Sequence, residues 1–126
     1  KFISNDIRKI SLIMIYYHNP RCRKSREGLS FLKERNIQPE IRDYLKERLT
    51  HHELRSILEK LDMRPDELMR KNETIYKTEI KGKKLNDDQL IIKMIEHPKL
   101  IERPILERES RATIGRPAEN FMSIMD

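Results

Sequence analysis

The chain holds a single cysteine, Cys22, among 126 residues, with no valine and only three glycines. One cysteine excludes an internal disulfide and a multi-cysteine zinc site. It also excludes a Cys-x-x-Cys dithiol, because Ser25 occupies the fourth position. Any resolving thiol must therefore come from another molecule. Long hydrophobic runs are missing too. The longest, Leu12 to Tyr17, has six residues, whereas a membrane-spanning helix needs about 20 and a secretory apolar core roughly 7 to 15. His-Asn-Pro-Arg-Cys follows it instead of a small-residue cleavage site. Neither a membrane span nor a leader is expected, and the expected location is the cytoplasm, where the thiol stays reduced.

What the sequence has in quantity is charge. Asp, Glu, Lys and Arg make up 38% of the residues, against about 25% in an average soluble domain. The formal net charge is +6, yet acidic residues are interspersed almost everywhere, whereas nucleic-acid binders concentrate their basic residues on one face. No nucleic-acid partner is expected. Leu, Ile and Phe form about a quarter of the chain, enough for a packed core. The length fits one domain, placed at residues 14–126. Residues 1–13 are left as an unassigned N-terminal extension, although Ile3, Ile7 and Ile10 have helical spacing.

Leu12 to Tyr17, bounded by His18-Asn19-Pro20, reads as a short buried strand. A helix follows from Cys22 to about Asn36, with Leu29, Leu32 and Phe31 as its apolar stripe and Gly28 as its one weak helix former. Pro39 to Leu45 alternates as a second strand. Thr50 and Glu53 form a capping box that opens a helix carrying Leu54, Ile57, Leu58 and Leu61. Pro65 suits the first position of another helix through about Lys71. Asn86 and Gln89 repeat the capping signal for a helix stopped by Pro98. Pro104 to Glu109 and Arg111 to Gly115 read as a hairpin, and Pro117 as the start of a terminal helix.

Cys22 stands where the first loop becomes a helix. Free amides and the helix dipole there stabilise a thiolate, and Arg21, Arg23, Lys24 and Arg26 add positive charge. His18 is a candidate imidazolium beside the thiol. Ser25, one turn along, is a candidate donor to its sulfur. His51, His52 and His97 lack metal-ligand partners at suitable spacing, and Asp87-Asp88 reads as helix-start charge. No metal is expected.

The run His18-Asn19-Pro20-Arg21-Cys22-Arg23-Lys24-Ser25-Arg26 resembles the His-Asn-Pro-x-Cys-x-x-Ser-Arg segment of the glutaredoxin-coupled arsenate reductases. Arg70-Lys71-Asn72, Asp87-Asp88-x-Leu90-Ile91, His97-Pro98-x-Leu100-Ile101-x-Arg103-Pro104-Ile105 and Arg116-Pro117 are similar to that family in order and approximate spacing. The resemblance runs from Met14 to about Ile124. It implies an α/β, thioredoxin-like fold: a small mixed sheet flanked by helices, with an inserted helical portion at about residues 50 to 97 and a cis Arg103-Pro104 peptide. It implies Cys22 as nucleophile and Arg70, Arg103 and Arg116 as oxyanion ligands. The implied activity is reduction of arsenate to arsenite, with glutathione as co-substrate, glutaredoxin as partner and no bound cofactor. Two alternatives stand beside it. One is a glutathione-dependent thiol oxidoreductase without arsenate activity, and the other an RNA polymerase-binding transcription regulator of the same fold. Arg21 and Arg23 depart from the small residues that often flank the family's cysteine.

Overall fold

The computed structural model describes residues 13–125; the Ile3, Ile7 and Ile10 pattern and Leu12 lie outside them. The chain divides into two compact units. Among the described residues, one combines residues 13–43 with residues 103–125, and the other is Tyr44–Glu102, inserted between them in sequence.

The first unit contains β1 (Met14–His18), α1 (Arg23–Glu34), β2 (Glu40–Asp43), β3 (Ile105–Arg108), β4 (Arg111–Ile114) and a 3-10 helix (Ala118–Ile124). The sheet order is β2-β1-β3-β4. β1 is central, pairing in parallel with β2 and antiparallel with β3. This position explains why its apolar run is continuous: a strand covered on both faces needs no polar alternation. Tyr16 points to one face, where it is fully buried with Leu32, Leu106, Phe121 and Ile124. Tyr17 points to the other and donates its hydroxyl to Glu107 Oε1 at 2.6 Å. β1 extends through His18, one residue into the stretch read as a turn.

Gly28 lets α1 lie close to this core. A Cβ there would come within 2.5 Å of the Tyr16 hydroxyl and 3.1 Å of Phe121 and Pro104. The anticipated hairpin is present as β3 and β4, in the register Ile105 opposite Ile114 and Arg108 opposite Arg111. The Arg103-Pro104 peptide is cis, as the resemblance implies, and so is Arg116-Pro117. The terminal helix is of the 3-10 type, and Pro117 caps it instead of occupying its first turn.

The second unit holds α2 (His51–Leu61), α3 (Pro65–Leu68), α4 (Thr74–Glu79), α5 (Asp87–Glu96) and a 3-10 turn (Pro98–Leu100). Both capping boxes form. Thr50 Oγ1 accepts from the Glu53 N–H at 3.1 Å, and Asn86 Oδ1 accepts from the Gln89 N–H at 2.8 Å. Leu54, Ile57 and Leu58 of α2 and Leu90, Ile91 and Met94 of α5 are buried. The helix expected through Lys71 stops at Leu68. Extended pairing displaces it: Met69 bridges Ile101, the Arg70 N–H donates to Leu100 O, and the Glu102 N–H donates to Leu68 O. α4 was not anticipated, because it buries no side chain and so carries no apolar stripe. No helix among the described residues is long and apolar enough to cross a membrane.

Candidate active site

The site is built on the turn between β1 and α1. Asn19 organises it: its carbonyl accepts the Cys22 N–H at 2.9 Å and its side-chain oxygen accepts the Arg21 N–H at 3.0 Å. This is the self-bonding that makes Asn a turn residue. Cys22 is thereby placed as the N-cap of α1, with extended backbone angles. Its carbonyl accepts the Arg26 N–H and begins the helix.

Partial burial pushes the Cys22 thiol up. The Arg103 side chain and the Ser25 N–H, both hydrogen-bonding the sulfur, outweigh that, helped by the charge of Arg103 and the N–H of Lys24. The net result is a thiol below its ordinary pKa. Arg116 joins from the turn after β4. Its Nη2 lies 3.8 Å from Cys22 Sγ, and its Nε donates to the Arg103 carbonyl at 2.7 Å. One guanidinium thus touches the sulfur and holds the residue that carries the other guanidinium. The planar guanidinium makes these two contacts from separate nitrogens, Nε and Nη2, held in one rigid fork.

The cations adjacent in sequence act differently from expectation. Arg23 Nε pairs with Glu27 at 2.9 Å, Lys24 lies 3.5 Å from the same carboxylate, and Arg26 donates to the Pro20 carbonyl at 2.8 Å. The influences that lower the thiol come from Arg103 and from backbone N–H groups, not from the charges of Arg21, Arg23 and Arg26. Glu27 was readable as an i,i+4 partner of Arg23.

His18 is buried, and its Nδ1 lies 2.8 Å from Ser25 Oγ. Burial lowers its pKa against the raising effect of Asp43, and Arg26 lowers it further. The ring is therefore neutral near pH 7, which corrects the imidazolium reading: a charge is expensive to bury here, and the ring's hydrogen bond is to Ser25. Ser25 is fully buried. Its hydroxyl also accepts the Asn19 N–H at 3.0 Å, and its carbonyl accepts the Tyr16 hydroxyl at 2.6 Å. Ser25 thus meets the sulfur through its backbone N–H. In the sequence Asn19 is legible as part of the turn after the first strand but not as an organiser of the site, and nothing local marks Tyr16.

Cys22, His18, Ser25, Arg103 and Arg116 are assembled in one unit. Arg70 belongs to the other, where it meets Glu73 at 3.4 Å and Glu102 at 3.2 Å.

Residues 17–124 match the sequence profile of the ArsC family. The chain belongs to the ArsC family. It is 40% identical over 116 residues to the arsenate reductase of Haemophilus influenzae, covering 89% of this chain and 98% of that protein. It is also 43% identical over 111 residues to YfgD of Escherichia coli K12, an uncharacterized protein, covering 86% of this chain and 93% of that one. The solved arsenate reductase of Vibrio cholerae superposes with a TM-score of 0.85 at 39% identity, covering 89% of this chain and 97% of that one. The ArsC fold seen here is the thioredoxin-like one: a mixed four-stranded sheet flanked by helices, with a helical insertion.

Proposed function

We propose that this ArsC protein reduces arsenate to arsenite, with Cys22 as nucleophile and glutathione and glutaredoxin as external reductants. The observation that carries the reading is the convergence of Arg103 and Arg116 on a lone thiol held below its ordinary pKa. Arsenate is a tetrahedral dianion near neutral pH. Two guanidinium groups and the N–H groups of a helix start complement its oxygens and reduce its repulsion toward a thiolate.

Cys22 Sγ attacks arsenic, an As–S bond forms, and an arsenate hydroxyl takes up a proton and leaves as water. The glutathione thiolate then attacks the Cys22 sulfur. An S–S bond forms and the As–S bond breaks with its electron pair remaining on arsenic, which departs as arsenite after protonation. A glutaredoxin thiol removes the glutathione by thiol–disulfide exchange and frees Cys22. Arsenic gains two electrons, and two thiols, one from glutathione and one from glutaredoxin, end as a disulfide. No bound cofactor enters the cycle, since the thiols supply both electrons.

Arsenite formation, measured with each reductant omitted in turn, tests this. Turnover is expected only with both glutathione and glutaredoxin present, and none from Cys22→Ser. Full turnover with thioredoxin as sole reductant would overturn the resolving step, and turnover by Cys22→Ser would overturn the nucleophile.

A further inference from the structure

Ser25, in the first turn of α1, is held from β1 and the residue that follows it at both its hydroxyl and its carbonyl. Side chains two apart on a strand share a face, so Tyr16 and His18 point the same way, with ring centroids 5.6 Å apart. The Tyr16 hydroxyl donates to the Ser25 carbonyl at 2.6 Å, while His18 Nδ1 and the Asn19 N–H meet the Ser25 hydroxyl at 2.8 and 3.0 Å. Tyr16 and Ser25 are both fully buried, where water does not compete and a hydrogen bond is electrostatically stronger than in solution.

The bond from Tyr16 reaches the backbone of the nucleophile. The Ser25 carbonyl and the Arg26 N–H belong to one peptide group, and that N–H donates to the Cys22 carbonyl at 3.1 Å. A peptide group is planar and stiff, so a phenol that fixes its oxygen also fixes the direction of its N–H. The turn from Cys22 to Arg26 is thereby tied to the central strand of the sheet. The Lys24 and Ser25 N–H groups of that turn hydrogen-bond the sulfur. Gly28 leaves room for the phenol, since a Cβ there would fall 2.5 Å from its oxygen. Among Leu32, Leu106 and Phe121 a phenylalanine would supply the same apolar ring, and the hydroxyl adds the bond to Ser25.

We propose that Tyr16 is a positioning residue for the nucleophile: its hydroxyl, acting through the Ser25–Arg26 peptide group, holds the turn whose N–H groups face Cys22 Sγ. The proposal rests on Cys22 as the nucleophile of the function given above. Arg103 and Arg116, the charged side chains that reach the sulfur, come from the residues before β3 and after β4. Loss of the Tyr16 hydroxyl therefore loosens the N–H donors and leaves both guanidiniums in place.

The test follows alkylation of the whole chain by iodoacetamide against pH in the wild type, Tyr16→Phe and Gly28→Ala, with urea melts for stability and arsenate kinetics on the same proteins. Tyr16→Phe keeps the ring and removes the bond. Its alkylation midpoint should move up, and its rate near neutral pH should fall by about threefold or more while the plateau at high pH is retained. Its kcat for arsenate should fall by a similar factor, with the KM for arsenate changed by less than about twofold, because the guanidiniums remain. Gly28→Ala, whose Cβ displaces the same hydroxyl, should shift the alkylation profile in the same direction. A wild-type alkylation profile in Tyr16→Phe, whatever its urea midpoint, would make the phenol a packing group alone and overturn the proposal. Should Tyr16→Phe not fold, a wild-type profile in Gly28→Ala would overturn it equally. Alkylation needs no arsenate, so a shifted profile in a protein that leaves arsenate unreduced would support the positioning role and overturn the arsenate reading alone.

Discussion

At the residue scale, two titrating groups behave in opposite ways. Cys22 gains hydrogen bonds and a nearby cation, so its charged form is favoured; His18 gains burial, so its charged form is disfavoured. Replacing Arg103 by Lys keeps the charge and loses the two-donor plane. The Cys22 alkylation midpoint in Arg103→Lys should move up toward the unperturbed thiol value of about 8.5. The kcat/KM for arsenate should fall by the equivalent of roughly 1.5 to 3 kcal/mol, while the urea midpoint changes little. An unchanged alkylation profile would remove Arg103 from the site. For His18 the unfolded chain binds the proton more readily than the folded one. Its contribution to stability is therefore complete above the ordinary histidine value of about 6.5 and is lost as the pH falls through that value toward the lowered one. Thermal melts from pH 7.5 to 5 should show a declining Tm in the wild type and a shallower decline in His18→Asn. Parallel slopes would mean that His18 is not the titrating group.

At the element scale, the glycine in α1 gives the clearest prediction. Helix propensity favours alanine over glycine by about 1 kcal/mol. A Cβ at position 28, however, meets the Tyr16 hydroxyl, which is already committed to the Ser25 carbonyl. Overpacking costs about 1 to 3 kcal/mol, so Gly28→Ala should lower the urea midpoint at an unchanged m-value; a raised midpoint would show that the helix can shift. This also separates what was readable from what was not. Thr50, Glu53, Asn86 and Gln89 act on neighbours three residues away, so the starts of α2 and α5 were plain in the sequence. The stop of α3 at Leu68 depends on Met69 meeting Ile101, 32 positions on, and no local signal carries that. The same distinction runs through the site. The Cys22 turn and its helix N-terminus were legible, while the guanidiniums that hold the sulfur arrive from Arg103 and Arg116 and were placed there by family resemblance. Local sequence instead overvalued Arg23 and Lys24, whose charges Glu27 offsets, and it made an imidazolium of His18, whose burial only the folded sheet reveals.

At the scale of the whole molecule, the proposed function gives a chain of net charge +6 with a single cysteine a two-electron reduction that passes through a bond between Cys22 and another molecule's sulfur. That bond is the central claim, and intact-protein mass spectrometry reads it directly. The chain is incubated with arsenate and glutathione in the absence of glutaredoxin, quenched in acid and weighed. One glutathione per chain should accumulate on Cys22, released by a reductant. The adduct should be absent when arsenate is omitted and absent in Cys22→Ser. An unmodified chain after arsenite has formed, or an adduct that ignores arsenate, would contradict the account.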